Sequence, residues 1–262
     1  MTHQRRHGES LSRRPRGFSL LELVVVIAIT ALLTAIMFPG LNTARNTAHK
    51  LMCASNLRQI GTGIILYSND HRDRIPGSFM AEQNRPFDQM AITIPDPEGQ
   101  PGHNRFVLDG LGLLIGGSNF GCYCDAAECM FCPSHANGHT FEQYERTLET
   151  TNFLLTFEEQ VWANYQYVGQ RSTTEGPDGT PSDTVHFLDD EDLLVTDGFR
   201  TKDDFNHVQG MNKLYGDGSI SWWQDVENSF YNELPVTPLL SADEQLSCFE
   251  RAWYEFQQND RR

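Results

Sequence analysis

Six cysteines occupy positions 53, 122, 124, 129, 132 and 248, and four of them crowd into residues 122–132. The spacing C-x-C-x4-C-x2-C admits two chemistries besides reactive or free thiols. Four thiolates make a tetrahedral zinc site, of which Cys129-x-x-Cys132 resembles one half. In an oxidising compartment four thiols pair instead, and an even cysteine count suits disulfides. Cys122 and Cys124 lie too close in sequence to bridge each other, so as disulfides each reaches Cys129 or Cys132; Cys53 and Cys248 are a candidate pair that the spacing does not establish. A second set of residues is acidic. Asp197, Asp203, Asp204 and Asp217 offer the hard oxygens of which calcium takes six to eight, but no D-x-[DN]-x-[DN]-G spacing organises them and solvated turn acids account for them better. His207 and Asp217 have the types of an acid–base pair. With no nucleophile elbow, P-loop, HExxH or dinucleotide fingerprint to serve, they read instead as residues that pin backbone groups, His207 before a turn and Asp217 inside it. The chain is not expected to be an enzyme, and it calls for no cofactor beyond that calcium candidate.

Where these residues act depends on the first forty. Residues 1–17 carry five arginines and one glutamate, and residues 18–38 (FSLLELVVVIAITALLTAIMF) hold one charge, Glu22. Twenty-one helical residues rise about 31 Å, enough for the ~30 Å hydrocarbon core of a bilayer. The arginines precede this span and the acids follow it, so the positive-inside rule puts the N-terminus in the cytoplasm and the C-terminal domain in the periplasm, as a single-pass inner-membrane protein. A cleaved secretory signal ending near Ala35, or a twin-arginine signal at Ser12-Arg13-Arg14, fits less well: the run exceeds the ~7–15 residues of a signal core and no clean A-x-A follows. Export selects disulfides over zinc for the cysteine cluster. Glu22 is costly at the edge of a spanning helix, so it marks a function unless it snorkels to the headgroups.

The segment Gly17-Phe18-Ser19-Leu20-Leu21-Glu22-Leu23 behind a basic leader resembles the processing and methylation signature of type IV pilins and type II secretion pseudopilins. The resemblance implies cleavage by a prepilin peptidase between Gly17 and Phe18, N-methylation of the new Phe18 amine, and an assembly role for Glu22, whose carboxylate meets that amine on a neighbouring subunit. It also implies sister subunits, inner-membrane assembly machinery and membrane lipid as partners. A second block, Asn56 to Gly61 with Tyr67 and Asp70 to Pro76, is similar to the helix end of a large pilin-like group. That group carries a Cys-Pro pair, here Cys132-Pro133, and a His, nine residues, Asp-Gly motif, here His207, Asp217 and Gly218. After Asp-Gly it continues with His and a branched residue, whereas Ser219-Ile220 stands here, so any role of the missing histidine does not carry over.

The elements that must position these residues follow from periodicity. One helix is expected over about residues 19–69, loosened or kinked at Pro39, with Leu41, Ala44, Ala48 and Leu51 and then Leu57, Ile60, Ile64 and Tyr67 at helical spacing. Residues 71–110 are rich in turn formers. Strand character appears at Tyr165–Val168, Thr184–Leu188, Met211–Tyr215 and Ser219–Trp223, the last two joined by Gly216-Asp217-Gly218 as a hairpin. A terminal helix opens on a capping box, Ser241 with Glu244, and presents Leu246, Phe249, Trp253 and Phe256. The fold class is α+β, a long N-terminal helix packed on an antiparallel sheet: leader 1–17, membrane half 18–38, extracytoplasmic half 39–70, and a pilin-like domain 71–262 with a Cys-rich loop 122–132 and a hairpin 211–223. A formal charge of −15 in 262 residues excludes a chain built to neutralise nucleic-acid phosphates. The expected function is a structural subunit of a type IV pilus-like or type II secretion pseudopilus filament; the alternative is a membrane-tethered binding module that does not polymerise.

Overall fold

A computed structural model of the chain describes residues 18–72, 74–97, 106–115, 123–124, 126–135, 138–150, 159–168, 193–207 and 209–260. The chain forms two compact units, Met1–Arg45 and Asn46–Arg262. Helix α1 (Leu20–Asp70) contributes to both. In the first unit the described residues are helical almost throughout, and every described side chain from Phe18 to Phe38 is exposed. The helix is long and apolar enough to cross a membrane, as a single-pass anchor requires. It continues through Pro39 and Gly40, where the sequence predicts a loosening. Proline forfeits one amide donor there, but its fixed φ still suits a helix.

The second unit centres on a four-stranded antiparallel sheet ordered β3 (Tyr165–Tyr167), β4 (Leu193–Asp197), β5 (Gly210–Tyr215), β6 (Ile220–Gln224). Side chains alternate across a strand, and here the two faces meet two different helices. On one face, Tyr165, Tyr167, Val195 and Leu214 join Cys53, Leu57, Ile60 and Ile64 of α1 in one core. On the other, Met211 and Trp223 join Cys248, Phe249, Ala252 and Phe256 of the terminal helix α5 (Ala242–Asp260), together with Phe87, Phe199 and Phe230. Burying each of Leu57, Ile60 and Ile64 stabilises the domain by roughly 1.5–3 kcal/mol. The sheet therefore separates α1 from α5. Shorter elements border it: α2 (Phe79–Glu82), a two-stranded ribbon of β1 (Thr93–Pro95) with β2 (Phe106–Leu108), α3 (Phe141–Thr150), and α4 (Ser229–Glu233) before α5.

The hairpin forms as its turn residues dictate. Gly218 has φ +80°, Asp217 accepts a hydrogen bond from the Ser219 amide at 2.7 Å, and the Gly218 amide donates to Tyr215. Ser241 Oγ accepts from the Glu244 amide at 3.2 Å and so caps α5. The buried face of α5 differs from the expected one: Gln245, Cys248, Phe249, Ala252 and Phe256 face inward, while Leu246 is exposed. Gln245 turns inward because its amide donates to Asp88 Oδ2 (2.8 Å) and to the Leu239 carbonyl (2.9 Å). Likewise Leu41 and Leu51 of α1 are exposed, and the buried stripe starts at Cys53. The strand expected at Thr184–Leu188 lies outside the described residues. Leu193–Asp197 is the β4 strand between β3 and β5, although the sequence reads Asp197 as a turn acid.

Candidate functional site

At the head of α1, Ser19 and Glu22 bind each other reciprocally. The Ser19 amide donates to Glu22 Oε2 (2.9 Å) and the Glu22 amide donates to Ser19 Oγ (3.2 Å). This is a capping box, which satisfies two of the amides that open a helix. Glu22 thus has a place within its own chain, a role legible in the sequence as Ser-x-x-Glu. Phe18 precedes the cap, exposed; Gly17 lies outside the described residues.

A second constellation sits between the sheet and α1. Cys53 and Cys132 form a disulfide with their Cα atoms 5.6 Å apart. His207 Nε2 lies 3.7 Å from Cys132 Sγ and 3.5 Å from Asp197 Oδ2, and its Nδ1 lies 3.2 Å from Ser134 Oγ. Cys53, Cys132, Asp197 and His207 are all buried. Asp197 ends β4 and points to the α1 face, where the Asn212 amide (2.6 Å) and side chain (2.9 Å) both donate to Oδ2. Gly198 follows because a Cβ there would come within 2.9 Å of the Asn164 carbonyl. The loop bearing Cys132 is held by its own amide, which donates to Asn164 Oδ1 (3.0 Å), and by Asn56 of α1, which donates to the Phe131 carbonyl (3.0 Å).

Burial dominates the electrostatics. It pushes Asp197 up to about 7, against the lowering effect of the Asn212 hydrogen bonds. Burial, reinforced by the positive charges of Lys50 and His49, lowers His207 to about 4. Although carboxyl and imidazole are within ion-pair distance, between those two values both are neutral, so the contact is not a charged pair there.

Several sequence expectations are corrected here. Cys132 pairs with Cys53 and not within residues 122–132, because the Cys-Pro loop packs on α1. Cys248 does not pair with Cys53; its thiol is buried on the α5 side of the sheet and donates to the Glu233 carbonyl (3.3 Å). Cys124 and Cys129 are buried and lie outside the Cys53–Cys132 disulfide, and Cys122 lies outside the described residues. Among the described residues, Asp203, Asp204 and Asp217 do not converge with Asp197 into a calcium-type set. Asp217 serves the hairpin turn and Asp204 accepts from Thr201 Oγ1 (2.8 Å). Among the described residues the His207 ring makes no backbone hydrogen bond; it faces the disulfide and Asp197. The sequence reads Cys53 as a candidate partner of Cys248 and Asp197 as a turn acid, and foresees neither in this cluster. Cys53 continues the stripe of Leu57, Ile60 and Ile64 at helical spacing, a signal of burial though not of partner.

Against known families, residues 12–38 match the prokaryotic N-terminal methylation motif. The N-terminus is of the prepilin type. With the capped, exposed apolar helix that follows, this supports a type IV pilin- or pseudopilin-like protein processed by a prepilin peptidase, from a motif family that is structural and not enzymatic. No curated protein and no solved structure matches the chain.

Proposed function

We propose that this pilin-like chain is a structural filament subunit, cleaved between Gly17 and Phe18, methylated on the Phe18 amine, held in the inner membrane with its C-terminal domain in the periplasm, and assembled through α1 into a pilus-like or pseudopilus filament. The carrying observation is the methylation motif at residues 12–38 leading into an apolar helix whose described side chains are exposed from Phe18 to Phe38. Such a surface needs lipid or sister helices to cover it. The filament supplies the second environment. Glu22 is suited to meet the cationic Phe18 amine of a neighbouring subunit, since two opposite charges in a dry bundle offset much of each other's desolvation and fix the axial register. Prepilin peptidase, sister subunits and the inner-membrane assembly machinery are the partners. Mass spectrometry of the native membrane protein tests the first step. The expected N-terminus is methylated Phe18; an N-terminus near residue 36, or an intact leader in cells with an active prepilin peptidase, overturns the proposal.

A further inference from the structure

We infer that Cys53, Cys132, Asp197 and His207 form a redox-gated zinc site, closed while the two cysteines are a disulfide and able to bind one Zn2+ when they are reduced. The ligand atoms of these four buried residues all lie within 4.8 Å of one another, and among the described residues no other group of His, Cys, Asp and Glu converges in this way. The separations fit a tetrahedral ion. With Zn–S at about 2.3 Å and Zn–N or Zn–O at about 2.0–2.1 Å, tetrahedral angles place sulfur and nitrogen about 3.6 Å apart and nitrogen and oxygen about 3.3 Å apart. His207 Nε2 is 3.7 Å from Cys132 Sγ and 3.5 Å from Asp197 Oδ2.

The surroundings are those of ligands already oriented. A metal-binding imidazole holds its second nitrogen in a hydrogen bond, and a metal-binding carboxylate is itself hydrogen-bonded. His207 Nδ1 has Ser134 Oγ at 3.2 Å, and Asp197 Oδ2 accepts from Asn212 twice. Asp197 Oδ1 is buried without a hydrogen-bond partner, an orphaned acceptor in a residue only 1% exposed. Two thiolates, one imidazole and one carboxylate select zinc; calcium would need six to eight oxygens that these residues do not supply. Two thiolates and a carboxylate leave one excess negative charge on the zinc-bound set, and the Lys50 ammonium of α1 is a positive group whose field reaches His207.

Oxidation and metal binding exclude each other. A disulfide has no thiolate to donate, and its sulfurs must separate to about 3.8 Å to span a tetrahedral edge. Opening takes two electrons and two protons, delivered by a dithiol that leaves as its own disulfide, so that Cys53 and Cys132 become thiols. Zn2+ then forms two Zn–S bonds and the two thiol protons pass to solvent. In either state α1 stays tied to the Cys132 loop. Only the zinc state also ties both to the end of β4 and to the segment before β5.

The test uses the full chain in detergent. One sample stays oxidised; the other is reduced with a phosphine, which takes oxygen from water as it opens the disulfide, and is then freed of reductant. Each is titrated with Zn2+, and with Co2+ as a spectroscopic probe. Expected are one metal per reduced chain with a Kd below about 1 µM, thiolate-to-cobalt charge transfer, and no such binding in the oxidised chain. His207→Ala and Asp197→Ala should each weaken binding roughly tenfold or more, and Cys53→Ser with Cys132→Ser should abolish it. Binding unaffected by His207→Ala, or lost on replacing Cys122, Cys124 and Cys129 but kept without Cys132, overturns the inference. X-ray absorption at the zinc edge of the reduced wild-type protein decides the matter even if a variant does not fold. Two sulfur and two nitrogen or oxygen neighbours support the site; three or four sulfurs, or none, overturn it, as does the absence of binding.

Discussion

Opening the Cys53–Cys132 bond in metal-free protein is expected to cost the domain several kcal/mol. The two residues are 79 apart in sequence. Cross-linking a loop of that size removes about 15 cal/mol/K of chain entropy from the unfolded state, or about 4.5 kcal/mol at 25 °C, near the top of the 2–5 kcal/mol found on removing native disulfides. Residual structure in the unfolded chain reduces the figure, so the expected loss is about 3–4 kcal/mol, more than a hundredfold in the unfolding constant. The assay is urea unfolding of the full chain in mild detergent with a chelator present, followed by tryptophan fluorescence, since Trp223 is buried between the sheet and α5. Reduced wild type and the Cys53→Ala, Cys132→Ala double variant should coincide, both well below oxidised wild type. Cys248→Ala should keep the full difference between its own oxidised and reduced forms. Oxidised and reduced curves within about 1 kcal/mol of each other, or a non-reducing peptide map that joins Cys132 to Cys122 or Cys129, would refute the reasoning.

Two further outcomes follow from burial. Leu57→Ala, in the core between α1 and the sheet, should destabilise the domain by about 2–5 kcal/mol, whereas Leu33→Ala, exposed in the first unit, should leave the same unfolding curve unmoved. Asp109 is buried and its pKa is raised, chiefly by burial, even though the Phe79 amide and the Ser78 hydroxyl donate to it. Because the folded state holds its proton more tightly than the unfolded one, its contribution is full below the ordinary carboxylate value and is lost as pH rises through the raised one. Asp109→Asn should remove that decline, and stability–pH profiles that stay parallel for variant and wild type would contradict it.

What the sequence discloses is what is encoded locally. α1 is legible over nearly its whole length because its apolar run and the Leu57, Ile60, Ile64 stripe are periodic. The β5–β6 hairpin is legible because Gly216-Asp217-Gly218 specifies its own turn. β4 is hidden because Leu193–Asp197 is a short apolar run beside acids, and only its pairing with β3 and β5 makes Thr196 and Asp197 interior. The buried cluster is hidden for the same reason. His207 and Cys132 are conspicuous in sequence, but their meeting is set by a loop packed on α1 and by the segment that leads into β5. Spacing alone favours cysteine partners close in sequence; packing on α1 instead joins two residues 79 apart. Gln245 shows the converse, a polar residue drawn inward by Asp88, which hydrophobic periodicity cannot anticipate.

The central claim is that the charge of Glu22 assembles subunits, and Glu22→Gln isolates it. Glutamine at this position still accepts the Ser19 amide, so the capping box at the head of α1 survives, whereas leucine would lose both cap and charge. In the proposed filament, the neutral side chain leaves the Phe18 amine of the neighbouring subunit without its counter-charge in a dry helix bundle, which disfavours each contact. The measurement is the yield of sheared filaments, with crosslinking between cysteines engineered into neighbouring α1 helices, at matched membrane levels of wild type and variant. Glu22→Gln is expected to reach the membrane at least as well as wild type, to be processed to Phe18, and to fail to assemble. Undiminished filaments of the Glu22→Gln protein would contradict the account.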